Sequence, residues 1–292
     1  MVLLSCISVS LTKLGEIIKI VPKVKLFISE SGSLRYELLR KLSMGRKPRL
    51  LLNRSNSKYF NHTARRVNRI MNQKKFSYLE IGVASGTTLQ SIAAYKKHGV
   101  DPLPLINIEK LPDGVTFSKM TSDEYFSLLD KNAEFDFIFL DGLHEIKQLL
   151  KDFLNSLNHL TIGGWILIDD IVPSDSISAV SPMAESYRIR GVKQSEGYPW
   201  HGDCFKLLQF ILLNFPQIDS FLILYPDNPQ LLLKINAKIN YRDSVNDAKI
   251  EQLLSQDYTE VFSSENFKKY PVCIEDVLMI ELERKGIISK RD

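Results

Sequence analysis

The chain has 292 residues, 44% of them hydrophobic and 25% charged, values that exclude general disorder and allow a large buried core in one elaborated domain or two. Three cysteines, Cys6, Cys204 and Cys273, are too few and too scattered for a disulfide framework or a zinc site, and they fit a reducing, cytoplasmic setting. The net charge of +4 hides an asymmetry: residues 1–75 hold 17 Lys/Arg against 3 Asp/Glu, and the remainder 21 against 31.

The opening stretch, "MVLLSCISVSLTKLGEIIKIVPKVKLF", is fairly apolar, but it lacks an early positive region and Lys13 interrupts it well short of a membrane span. It reads as an amphipathic helix, with a secretion signal as the alternative. The basic arm of residues 1–75 is expected to be a helical extension, solvated or docked on the acidic body. Contact with nucleic acid or an anionic membrane surface stays open, although no aromatic interleaving or known nucleic-acid motif accompanies the charge.

From residue 76 short β-rich runs alternate with helical ones, which is how an α/β fold with a parallel sheet covered by helices is written. Strands are predicted over 77–81, 98–101, 105–108 or 115–119, 136–140 and 164–168. Between them "TTLQSIAAYKK" and "HEIKQLLKDFLNSLNHL" carry apolar residues at helical spacing. "TSDEYFSLL" opens on a capping box, Thr121 with Glu124. "SFLILYP" and "QLLLKI" read as a closing hairpin. Residues 246–292 then form a C-terminal helical cap on a domain spanning 76–245.

"YLEIGVASGTTL" is a strand, a small-residue turn and a helix start, where backbone can approach a ligand closely. As a dinucleotide fingerprint it fails, because Gly82 is followed at the required positions by Ala84 and Thr87. Read as acid-x-G-x-G-x-G it supplies Glu80, Gly82, Ala84 and Gly86, with only the middle glycine replaced. This resembles the first motif of class I S-adenosylmethionine-dependent methyltransferases, which implies a Rossmann-like sheet and that cofactor. Glu80 would then hold the cofactor ammonium. Asp101, 21 residues on in "HGVDP", would accept hydrogen bonds from the ribose hydroxyls. Either acid alone has the plainer reading of a surface or capping residue. The resemblance extends over about residues 76–215 through "MTSDEYF", "FDFIFLDGLHE", "LTIGGWILIDD" and "GDCFK", and is similar to a bacterial branch acting on sugars and other small molecules. By position Met120, Thr121 and Ser122 would lie near the adenine, although Thr121 and Ser122 also suit helix capping.

The run "FDFIFLDGLHEIKQLL" stops a core strand at Asp141, and "GGWILIDD" stops the next at Asp169 and Asp170. Two neighbouring strands thus deliver three carboxylates to one sheet edge, where they repel unless a proton or cation intervenes. A hard divalent ion such as Mg2+ suits oxygen ligands. The arrangement is similar to metal-dependent O-methyltransferases, including those acting on sugars of macrolide antibiotics, in which an Asp-x-x-His segment gives a metal ligand and a base. Asp141 and His144 match it, while many relatives have His-Asp where this chain has Asp169-Asp170. A turn or helix-cap role is the alternative for these acids. An imidazole of ordinary pKa, about 6.5, would accept a hydroxyl proton near neutral pH. In "GYPWHGDCFKLLQFILL", Tyr198, Trp200 and His201 would wall an acceptor pocket with Asp203, unless Asp203 caps the following helix. His159 fits a structural helix end, and His62 and His98 belong to no constellation. The expected activity is O-methylation of a sugar or other small molecule, with a homo-oligomer left open. The competing expectations are a nucleic-acid methyltransferase and a non-catalytic cofactor-binding protein.

Overall fold

The computed structural model describes residues 61–72, 74–193, 197–225, 228–241 and 244–290. The amphipathic helix expected in residues 1–27, and most of the basic arm, lie outside the described residues. The Asn61 side chain caps α1 (His62–Ile70) by accepting from the Ala64 N–H. There follow β1 (Ser77–Ile81), α2 (Thr87–Ser91), β2 (Lys96–Val100), β3 (Val115–Ser118), α3 (Ser122–Leu128), β4 (Phe135–Leu140), α4 (Ile146–Asn158) and β5 (Leu160–Ile168). The second half comprises α5 (Met183–Arg190), α6 (Lys206–Asn214), β6 (Asp219–Tyr225), β7 (Gln230–Lys234), α7 (Asp247–Ser255), α8 (Tyr258–Val261), α9 (Ser264–Phe267), β8 (Val272–Ile274) and α10 (Glu275–Arg284).

Most of the expected strands are present, including the 219–225 and 230–234 hairpin, and both halves of the Thr121–Glu124 capping box form. One expectation fails and one open choice is decided, each for a physical reason. The helix beginning at Thr87 stops at Ser91, because Ile92 turns extended and enters the core while Lys96 and Lys97 join β2. Of the two places open to the third strand, 115–119 holds β3 and 105–108 does not: the Leu105 and Ile106 N–H groups both donate to the Ala84 carbonyl and are committed to the glycine turn.

The described strands form one eight-stranded sheet in the order β3-β2-β1-β4-β5-β7-β6-β8. β1 to β5 run parallel, β7 is antiparallel to β5 and β6, and β8 lies parallel to β6. Alternate residues divide the core into two layers, as expected where both sheet faces are covered. Leu79, Ile81, Ile138, Leu140, Ile166 and Ile168 meet residues of α3, α4 and α6 on one face. Tyr78, Phe137, Phe139, Trp165 and Leu167 meet residues of α1, α2 and α10 on the other. The reversal of strand order falls between β1 and β4, and the carboxyl ends of strands at such a reversal are where open α/β sheets take ligands.

His98 on β2 is held by Thr116 and Ser118, with ring nitrogens 2.6 and 3.0 Å from their hydroxyl oxygens, and stacks on Tyr125. Burial pushes its pKa down to about 4. The unfolded imidazole takes up its proton near pH 6.5, so between these values the unfolded chain binds more protons and stability falls as pH falls. Asp141 and Asp152 are pushed the other way, each to about 6, so the contribution is best read as a difference. Urea unfolding of wild type and His98→Gln at about pH 7 and about pH 4.5 should show wild type losing about 1–2 kcal/mol relative to the variant. Parallel pH dependences would remove the assignment.

Candidate active site

At the end of β1 the backbone enters the left-handed region at Gly82, Ala84 and Gly86, with φ of 84°, 44° and 74°. A Cβ on Gly82 would sit 1.9 Å from the Asp141 carbonyl oxygen, so only glycine lets the turn close against the end of β4. Ala84, where the motif's middle glycine is replaced, keeps the glycine conformation at a penalty of about 1–2 kcal/mol. Asp101 holds this turn in place. Its Oδ2 accepts from the Val83 and Ala84 N–H groups, both at 2.9 Å, and its Oδ1 from Leu103 at 2.7 Å. Glu80 lies beneath, 1% exposed, accepting from the Tyr78 hydroxyl at 2.7 Å. Burial pushes its pKa up to about 8 and Asp141 adds to this, against the Tyr78 hydroxyl, the Leu89 N–H and Lys97.

Beside the turn, β4 and β5 deliver Asp141 and Asp170 to a common point. The Asp141 N–H donates to the Ile81 carbonyl, tying the two strand ends together. His144 Nε2 lies 3.0 Å from Asp170 Oδ2 and 3.6 Å from Asp141 Oδ1. One ligand atom from each of Asp141, His144 and Asp170 falls within 4.8 Å of the others. Burial resists charge on His144, but hydrogen bonds to Asp141 and Asp170 outweigh it and hold the imidazole at about 11. Asp141 itself is pushed up to about 6, first by desolvation and then by Asp170, against the pull of His144. The histidine therefore departs from the ordinary value expected of it, because two carboxylates converge on one nitrogen.

Asp169 does not join this group. Its carboxylate accepts from the Asp170 N–H at 2.9 Å, Asn228 at 2.5 Å and Gln230 at 3.2 Å, which turns it away from His144 and toward β7. Asp170 takes the left-handed conformation, φ 55°, and so presents its own side chain to the other side.

The 198–203 segment closes over His144. Trp200 stacks on the imidazole with centroids 5.2 Å apart, and its backbone carbonyl accepts from His144 Nδ1 at 3.3 Å. The His201 Nε2 lies 3.8 Å from Asp170, while its buried Nδ1 has no hydrogen-bond partner. Burial lowers the His201 pKa. Tyr198 is exposed beneath the Arg190 guanidinium rather than turned to the cluster. Asp203 caps a helix other than its own: it accepts from Ile146 N–H at the start of α4, 57 residues away in sequence, and pairs with Lys206 at 3.3 Å. Thr121 caps α3, Ser122 accepts from Gln148, and Met120 packs at the edge of the core. His159 ends α4 with Nδ1 bonded to the Ala133 carbonyl.

Residues 79–171 match a family model described as a methyltransferase domain. That stretch, about a third of the chain, is similar to this family. No curated protein matches the sequence. Among solved structures, the chain is similar to MycE methyltransferase from the mycinamycin biosynthetic pathway, in complex with Mg and SAH, at 16% identity and a TM-score of 0.41, over 60% of this chain and 48% of that one. The chain thus spans about half the length of that protein. An O-methyltransferase from Bacillus cereus in complex with SAH shows 15% identity and a TM-score of 0.42, over 73% of this chain and 94% of that one. The N-methyltransferase NodS from Bradyrhizobium japonicum shows 13% identity and a TM-score of 0.35, over 59% and 92%.

The matched stretch begins one residue before Glu80 and ends one residue after Asp170. Trp200, His201, Gly202 and Asp203 lie beyond it in sequence and reach the site through the fold. Asn228 and Gln230 were not legible as site residues. Two amides introducing the apolar "QLLLKI" strand were the signal that could have found them.

Proposed function

We propose that the methyltransferase domain transfers a methyl group from S-adenosylmethionine to a hydroxyl of a small molecule, with sugars as the preferred acceptor class, assisted by a divalent cation such as Mg2+. The observation that carries this reading is the convergence of Asp141, His144 and Asp170 within 4.8 Å at strand ends that also carry the glycine turn. The carboxylates of Asp141 and Asp170 are oxygen donors suited to a hard cation, and His144 Nε2 stands beside them as the base. Glu80 is a buried carboxylate at about 8 with no salt-bridge partner among the described residues, a setting that an ammonium would relieve. The turn is exposed at Ala84 and Ser85, where a ligand can pack against it.

When bound, the cofactor supplies a sulfonium methyl and the cation supplies positive charge at Asp141 and Asp170. The chain's own residues do the rest. The Trp200 carbonyl accepts from Nδ1 of His144 and so reserves Nε2 for the reacting side. Once the pull of the two carboxylates on the imidazole is offset, Nε2 is placed to accept the acceptor hydroxyl's proton as the oxygen attacks. Asp101 fixes the turn that aligns the donor behind that oxygen, and alignment of this kind is a major part of the rate gain.

Calorimetry with S-adenosylhomocysteine tests the cofactor site. Glu80→Ala and Asp101→Ala should each weaken binding about tenfold or more, the loss expected when a charged hydrogen-bonding group is removed at about 1.5–3 kcal/mol. Unchanged affinity in both folded variants would overturn the reading. Chelation should suppress turnover on sugar acceptors far more than it weakens cofactor binding, and full activity after verified metal removal would remove the cation from it.

A further inference from the structure

Asp169 and Asp170 are adjacent in sequence but do different things. Asp170 is one of two described non-glycine residues with positive φ, at 55°, a conformation that persists only where its surroundings impose it. What imposes it is a hydrogen-bonded series running through the molecule away from the site. The Asp170 N–H donates to Asp169 Oδ1 at 2.9 Å. The same oxygen accepts from the Asn228 amide at 2.5 Å, and Oδ2 from the Gln230 amide at 3.2 Å. The Gln230 side-chain oxygen accepts from Arg66 Nη1 at 2.6 Å, and its amide also donates to Thr63 at 2.8 Å. Arg66 Nη1 also donates to the Asn228 carbonyl at 2.6 Å, and Arg66 Nε donates to Glu275 at 2.7 Å. Arg66, Gln230 and Glu275 are all 0% exposed.

The directionality is fixed. Arg66 donates only, so the Gln230 oxygen must face it, and the Gln230 amide must then face Asp169 and Thr63. This presents amide donors to Asp169 and leaves its carboxylate as the acceptor for the Asp170 N–H. The antiparallel strand β7 makes the contact available, because its first residue, Gln230, falls beside the carboxyl end of β5.

We propose that Asp169 is a positioning residue and not a cation ligand, and that Asn228, Gln230 and Arg66 hold it so that Asp170 is presented to Asp141 and His144. The proposal rests on the cation reading above. Second-layer partners of this kind commonly change metal affinity by 10- to 100-fold when removed.

Electron paramagnetic resonance titration of the full chain with Mn2+ alone tests it. Asn228→Ala and Gln230→Leu should each weaken Mn2+ binding about tenfold or more. Arg69→Ala breaks a 2.7 Å ion pair to Asp276 that joins the same two helices without touching Asp169. It should lower Tm and leave Mn2+ affinity unchanged, separating positioning from general loosening. Gln230→Leu removes one acceptor from Arg66 and the amide that bonds Thr63 and risks misfolding, and in that event Asn228→Ala decides. Unchanged affinity in folded Asn228→Ala, alongside loss in Asp141→Asn and Asp170→Asn, overturns the proposal and leaves the cation reading standing. Loss in Asp169→Asn as deep as in Asp170→Asn, with Asn228→Ala unaffected, also overturns it, making Asp169 a direct ligand. Absence of Mn2+ binding to wild type would overturn both.

Discussion

His144→Ala should retain the fold and cofactor affinity while turnover on a hydroxyl acceptor falls about 10²- to 10⁴-fold, the usual contribution of a positioned base. The geometry gives the reason for a loss of this size. Nδ1 is committed to the Trp200 carbonyl and the ring is stacked on Trp200, so Nε2 is fixed against Asp141 and Asp170. No other described histidine is bonded to both carboxylates. His201 approaches only Asp170, at 3.8 Å, and is not placed to replace it. The check is single-turnover kinetics beside calorimetry. Near-normal turnover in a folded variant would reduce His144 to a partner that neutralises two acids.

Gly202→Ala should be nearly as damaging, although Gly202 carries no functional group. Its φ is 61°, and a Cβ there would lie 1.6 Å from the His144 carbonyl oxygen and 3.0 Å from the His144 Cβ. Neither neighbour can yield cheaply. The carbonyl is backbone at the turn into α4, whose first N–H is held by Asp203, one residue after Gly202. The 200–203 segment must therefore lift, carrying the Trp200 ring and carbonyl off His144. A displacement near 1 Å at a reacting group can lower the rate about 10²-fold, so kcat should fall by about that factor with little change in cofactor affinity. A folded variant with wild-type kcat would show that the segment moves freely and that the clamp on His144 is not needed.

These two positions show what the sequence discloses and what it withholds. The ends of β1, β4 and β5 were legible, because apolar runs broken by Glu80, Asp141 and Asp169-Asp170 are local patterns. The capping box at Thr121 was legible for the same reason. The rest depends on residues far apart in the chain. Asp203 caps a helix starting 57 residues earlier, and Arg66 meets Glu275 across 209 residues. No periodicity records such pairings. The choice between Asp169 and Asp170 was equally hidden, since it turns on one left-handed residue and on amides brought alongside by an antiparallel strand. β8, of three residues, is too short to stand out from its surroundings. No described helix is long and apolar enough to cross a membrane.

The pairing of Arg66 with Glu275 sets an order of events during synthesis. Strands β1 to β5 emerge from the ribosome before α10, which carries Glu275, the carboxylate for Arg66, and covers part of one face of their sheet. Until α10 arrives, Arg66 has water in place of Glu275, and the apolar face that holds Phe137, Phe139 and Trp165 lacks part of its cover. The stretch recognisable as a methyltransferase domain is therefore translated well before it can be stable. It should stay protease-sensitive and dependent on chaperones until about residue 284 has cleared the exit tunnel, when α10 closes the second face.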